Sequence, residues 1–281
     1  MSKKPLSKKF RDVLFSVLSF ILALFLFLNS LCILISVFVF NKNVWLDQMN
    51  ASNYYSDKTD EIKNKLVNLG NASGLPAEFF DRVVDSIQVS NDTENYLDAY
   101  FNGSNDLIDT TAFKQTFYTQ LDEYVKEKNA KIDDSNVDYL VKNAEHIYAR
   151  SLEIPLFYRL FAYFQALKGW LPVVIAVISA LSLAIVLILL FGNKWKHRAF
   201  KYYYFACAGT FLSLFAVAVF ITVAGGFQNI VLESRALYNM AVSFGTSAII
   251  AFWAFTAFFL IVSFTLYFVY ANKRKKVFAT D

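Results

Sequence analysis

Four long stretches of this chain, residues 13–40, 170–191, 203–223 and 240–270, contain no acidic residue, no basic residue and no histidine. A helix rises about 1.5 Å per residue, so each stretch is long enough to cross a hydrocarbon core about 30 Å thick. Inside lipid every backbone N–H and C=O needs a partner from the chain itself, which leaves helices or a closed barrel. No long alternation of apolar and polar residues suggests barrel strands, so each stretch is expected to be a transmembrane helix. Composition agrees, because 56% hydrophobic residues with 30 Phe is too oily for a fold dissolved in water.

The first stretch follows Lys3, Lys4, Lys8, Lys9 and Arg11, the flank of a secretory signal. Its apolar run is roughly twice the length of a signal core, and residues 36–40 offer no pair of small residues for cleavage. It is expected to stay as an anchor.

Orientation follows from the positive charge. Short basic segments resist translocation, and three flank the apolar stretches: the 1–12 tail, the 192–202 loop with Lys194, Lys196, Arg198 and Lys201, and the 271–281 tail with Lys273, Arg274, Lys275 and Lys276. These are expected in the cytoplasm, where they also meet anionic lipid. The opposite side then carries residues 41–169, with 20 acids against 13 bases, and the 224–239 loop. The net charge of +4 averages two unlike faces and gives no reason to expect a nucleic-acid partner. The expected fold class is an all-α integral membrane protein: four transmembrane helices plus an extracytoplasmic helical domain between helices 1 and 2.

Within 41–169 the apolar residues recur at helical spacing. Ile62, Leu66 and Leu69 form one face, closed by Gly70-Asn71. Pro76 suits a first helical turn, with Phe79, Phe80, Val83, Val84 and Ile87 as the buried stripe. Asn91 or Asp92 can cap a helix through Tyr96, Leu97 and Tyr100 that Asn102-Gly103 ends. Asp109 can cap another, with Phe113, Phe117, Leu121 and Val125 inward. Ser135 can cap the last, with Val137, Leu140, Val141, Ala144, Ile147 and Tyr148 on its apolar side, and Pro155 ends it. About five helices result. The aromatic run 157–165 and the mixed segment 227–239 after Gly225-Gly226 read as amphipathic pieces in the membrane interface.

In the spans, Asn29 is expected to hydrogen-bond another helix. Ala206, Thr210, Ser213 and Ala216, and likewise Ser243, Ser247, Ala251 and Ala254, place small residues at helical spacing, which lets helices approach closely in a bundle or a homo-oligomer. Trp45, Trp170 and Tyr202–Tyr204 mark the interfaces.

Chemistry is nominated nowhere. Cys32 and Cys207 both fall in spans, so the large polar segment has no disulfide, as is ordinary for a bacterial envelope protein. The Asn-x-Ser/Thr sequons at Asn50, Asn71, Asn91 and Asn102 occur in an Asn-rich region where chance supplies several. His146 and His197 lack the companions of a zinc site, and Asp133, Asp134 and Asp138, or Asp92 and Glu94, lack the spacing of a calcium loop. No nucleophile with a base and no glycine loop for phosphate is visible, so catalytic, cofactor and metal sites are all expected to be absent. The expected role is non-enzymatic: a binding, sensing or scaffold protein of the cell envelope, acting through its extracytoplasmic domain on an envelope component or a membrane-protein partner. The competing reading is an oligomeric channel or transporter subunit.

Overall fold

The computed structural model describes residues 8–104, 108–128, 134–155, 157–193, 196–224, 228 and 230–278. Among them every regular element is an α-helix and there is no strand. In chain order the helices are α1 (Lys8–Val39), α2 (Lys42–Ala51), α3 (Tyr54–Ser73), α4 (Ala77–Val83), α5 (Ser86–Asn102), α6 (Thr111–Lys128), α7 (Asp134–Leu152), α8 (Phe157–Phe191), α9 (Lys196–Val223) and α10 (Arg235–Phe278). Four of them, α1, α8, α9 and α10, are long and apolar enough to cross a membrane. The chain divides into two compact units, a span unit of residues 1–39, 168–228 and 245–281 and a polar unit of residues 40–167 and 229–244.

In the span unit α1 and α9 approach most closely, because the contact is made of small residues. Ala206 and Thr210 are fully buried there, and a Cβ on Gly209 would lie 3.1 Å from that of Ala23. The Thr210 hydroxyl is shared between the Ala206 and Ala23 carbonyls, at 3.0 and 3.1 Å, and Ser19 donates to the Tyr202 carbonyl at 2.7 Å. Ala206 and Thr210 of the small stripe on α9 therefore pack on α1, while Ser213 and Ala216 are exposed. Helix α8 adds Ile185 and Leu189 to the cluster around Phe15, Leu22 and Ala206, while α10 sets Phe259 against Cys207 and Leu214. Asn29 reaches a second helix as its mid-span position suggests, donating to Ser179 Oγ of α8 at 2.8 Å.

The polar unit has its own core, and its helices start and stop for local reasons. The Asn41 side chain accepts the Asn43 N–H at 3.0 Å and caps α2. Helix α3 buries Tyr54, Lys58, Ile62 and Leu66 at four-residue steps. It runs on past Gly70, where an ending is expected, to Gly74, whose φ of +76° is the left-handed conformation that closes a helix. Gly70 serves packing instead: the Phe80 ring lies 2.3 Å from where its Cβ would be.

Pro76 stands just before the first turn of α4. Phe79, Phe80, Val83 and Val84 are buried as the stripe predicts, but the chain breaks at 84–85 and leaves Ile87 exposed. Helix α5 then begins at Ser86, so Asn91 and Asp92 lie in its interior and cap nothing. The Asp109 carboxylate does accept the Thr111 N–H at 2.9 Å at the head of α6. Phe113, Phe117 and Leu121 of α6 face Leu140, Val141, Ala144 and Tyr148 of α7 in one core, with Phe113 and Tyr148 stacked at 4.1 Å.

Residues 157–167 are the first turns of α8 and belong to this unit. Phe157 stacks on Tyr100 at 4.2 Å, and Gln165 donates to the Tyr100 carbonyl at 2.6 Å. The region holds six helices, α2 to α7, against the five expected, and the added one is α2 over Lys42–Ala51. The break at Gly225-Gly226, the cap from the Ser135 side chain and the acid Asp133 lie outside what is described.

Candidate functional site

Lys58 stands in the apolar stripe of α3, one turn after Tyr54 and one before Ile62, and is 2% exposed. A buried ammonium is costly unless hydrogen-bonded to an opposite charge. Its Nζ donates to Glu61 Oε2 at 3.2 Å and to Ser234 Oγ at 3.3 Å, and lies 5.5 Å from the centre of the Tyr54 ring.

Ser234 is placed by α10. It precedes Arg235, the first helical residue, and its Oγ accepts the Leu237 N–H at 3.2 Å, so it is the N-cap of that helix. Its own proton goes to Glu61, whose two oxygens lie 2.7 and 2.9 Å from the hydroxyl. One donor and two acceptor positions are thus all in use. Glu61 Oε1 also accepts the Ala236 N–H at 3.0 Å, an amide the start of a helix otherwise leaves open. A carboxylate from α3 therefore sits at the positive end of α10.

Two further contacts extend this latch. Asp57 accepts from Asn239 Nδ2 at 2.7 Å and stands 3.7 Å from the Arg235 guanidinium, and Gln48 accepts the Ser243 hydroxyl at 2.8 Å. The head of α10 starts well before its apolar run and is fastened to α2 and α3, with Ala236, Leu237 and Met240 buried. An amphipathic segment lying in the interface is the expectation for these residues. Polar partners and buried apolar side chains explain the difference.

The charges are tuned by this setting. Burial pushes the Lys58 ammonium below the usual lysine range, Glu61 opposes that shift, and the Lys65 cation adds to it. Burial alone would lift the Glu61 carboxyl, but the Ala236 amide, the Ser234 hydroxyl and Lys58 together hold it below the usual carboxylate range. The Tyr54 hydroxyl is pushed up by burial and then by the Glu61 charge.

A cavity of about 450 Å³ opens beside the pair. Lys58, Glu61 and Lys65 of α3 line one wall, Arg150 and Glu153 at the end of α7 another, and Glu233 the approach to α10. Lys65 donates to Ser151 Oγ at 3.3 Å. Arg150 and Glu233 make no ion pair among the described residues. The arrangement can hold a small polar molecule by charge and hydrogen bonding.

The residues weighed from sequence lie elsewhere. Asp92 accepts the Tyr148 hydroxyl at 2.6 Å and Asp138 that of Tyr118 at 2.9 Å, so both anchor helices. His146 is exposed on α7, and Asn50, Asn71, Asn91 and Asn102 are exposed on helices. Cys32 and Cys207 are free thiols. Among the described residues no three His, Cys, Asp or Glu side chains gather as a metal site.

Sequence reasoning missed Lys58, Glu61 and Ser234. One signal was present: a lysine at the stripe spacing of Tyr54, Ile62 and Leu66. No family model, no curated protein and no solved structure matches the chain.

Proposed function

We propose that this chain is a non-enzymatic binding or sensing protein of a bacterial plasma membrane, with both ends in the cytoplasm and the polar unit on the outer face. The observation that carries the reading is the cavity beside Lys58, where a buried cation, Glu61 and the cap of α10 meet in a unit with a core of its own. Sidedness rests on the basic residues flanking the spans. Against a coupled carrier stands the absence of any acidic, basic or histidine side chain from the four apolar stretches, where ion and proton pathways place theirs.

The test uses the full chain in its native membrane. A photo-crosslinking side chain at Asn64, on the cavity wall, is expected to form a discrete adduct that Lys65→Met weakens, while the same group at Tyr139 forms none. Equal adducts at both positions, or solute flux through liposomes carrying the purified protein, would contradict the binding role.

A further inference from the structure

The occupant of the cavity can be narrowed by asking which hydrogen bonds its walls leave open. Lys58 has three N–H donors, of which Glu61 and Ser234 take two, and the third has no acceptor among the described residues. A buried donor without an acceptor is costly, so an apolar occupant is disfavoured and an oxygen acceptor is favoured. Lys65, two turns further along α3, lines the same wall, and Arg150 of α7 lines the cavity as well, so two further positive charges join Lys58.

Those charges do not make the cavity a general anion site. Glu61 already neutralises Lys58, and Glu153 and Glu233 stand exposed at the lining with no ion pair among the described residues. A lone anion would satisfy Lys58 and Lys65 and be repelled by these acids. A lone cation would leave the third Lys58 donor open. A molecule bearing both charges answers both walls.

We infer that the cavity binds a small zwitterion, its acidic group on Lys58 and Lys65 and its ammonium toward Glu233 and Glu153. A volume of about 450 Å³ suits an amino-acid-sized to dipeptide-sized ligand or the headgroup of an ethanolamine phospholipid, near the lower end of ligand pockets. The two sources share the chemistry of a primary ammonium joined to a carboxylate or phosphate. This inference rests on the reading of the polar unit as a binding unit.

Calorimetry on the purified full chain in uncharged detergent tests it, with L-alanyl-L-alanine and glycerophosphoethanolamine as zwitterions and acetate, inorganic phosphate and ethylamine as single-charge controls. At least one zwitterion is expected to bind about tenfold or more tightly than every control. Binding of the dipeptide assigns a free solute, and binding of glycerophosphoethanolamine assigns a lipid headgroup. Lys65→Met and Glu233→Gln, both at exposed positions, are each expected to weaken the zwitterion about threefold or more, and Glu233→Gln to narrow its advantage over the single-charge anions. A control that binds as tightly, zwitterions that fail to saturate at millimolar concentration, or variants that bind like the parent would overturn the inference. If those results came with an intact Asn64 adduct, the ligand class would fall and the binding role would stand.

Discussion

Phenylalanine is often exposed in one unit of this molecule and packs the core of the other. Phe20, Phe191 and Phe220 of the span unit are 71%, 81% and 73% exposed, whereas Phe80, Phe113 and Phe117 of the polar unit are fully buried. The same side chain takes opposite places because the two units suit different solvents. Lipid is as apolar as the residue, so helices of the span unit gain little by hiding it and associate instead through small residues and hydrogen bonds such as Thr210 to Ala23. Water drives the aromatic rings of the polar unit inside and leaves charge for its surface and its cavity.

Removing an aromatic ring should have the largest effect. Phe80→Ala empties a site that touches α3, α4 and α6 and is expected to destabilise the polar unit by about 3–5 kcal/mol, while Phe220→Ala changes little. Hydrogen exchange measured separately over residues 54–152 and 196–223 reads the two effects. Equal losses in both would mean that the units do not differ in this way.

Charge comes next. Glu61→Gln leaves Lys58 buried without its counter-ion and is expected to cost about 3 kcal/mol, seen as faster exchange over 54–66 and 234–243. Lys58→Met with Glu61→Gln should recover part of the loss, and a double mutant as unstable as the sum of the singles would deny the coupling.

The pair also gives the polar unit an acid limit. The folded Glu61 carboxyl lies below its unfolded value, so it contributes stability at neutral pH that is lost as pH falls through the carboxylate range. Lys58 is the charged group paired with it there, and Asp57 and Arg235 pair with each other. The melting midpoint is expected to drop on acidification, and to drop less in Glu61→Gln.

The smallest effect belongs to the spans. Asn29→Leu removes the bond to Ser179 and is expected to cost about 0.6 kcal/mol, since the partners in a membrane find substitutes. Resistance to subunit unfolding in mixed micelles measures it, and a loss of several kcal/mol would point to a role beyond packing.

The spans were legible because hydropathy reports a single local property, and 203–223 and 240–270 fall within α9 and α10. Their helical extensions were not. Residues 157–169 and 235–239 are mixed in character, and only contact with Tyr100, or with Glu61, decides that they are helical and where they pack. The stripes of α6 and α7 were readable for the same reason as the spans, since burial alone sets their period. The cavity was hidden because Lys58 and Glu61 look like an ordinary solvated pair, and Ser234 joins them from the far end of the chain.

The polar unit and the chain's C-terminal end are proposed to lie on opposite sides of a membrane, and labelling tests this directly. Single cysteines at Tyr139 and at Asn272, both exposed positions, can be placed in a chain carrying Cys32→Ala and Cys207→Ala and treated with a membrane-impermeant maleimide in intact bacterial cells. Labelling is expected at 139 in intact cells and at 272 only after permeabilisation. Labelling of both in intact cells, or of neither until the membrane is opened, would contradict it.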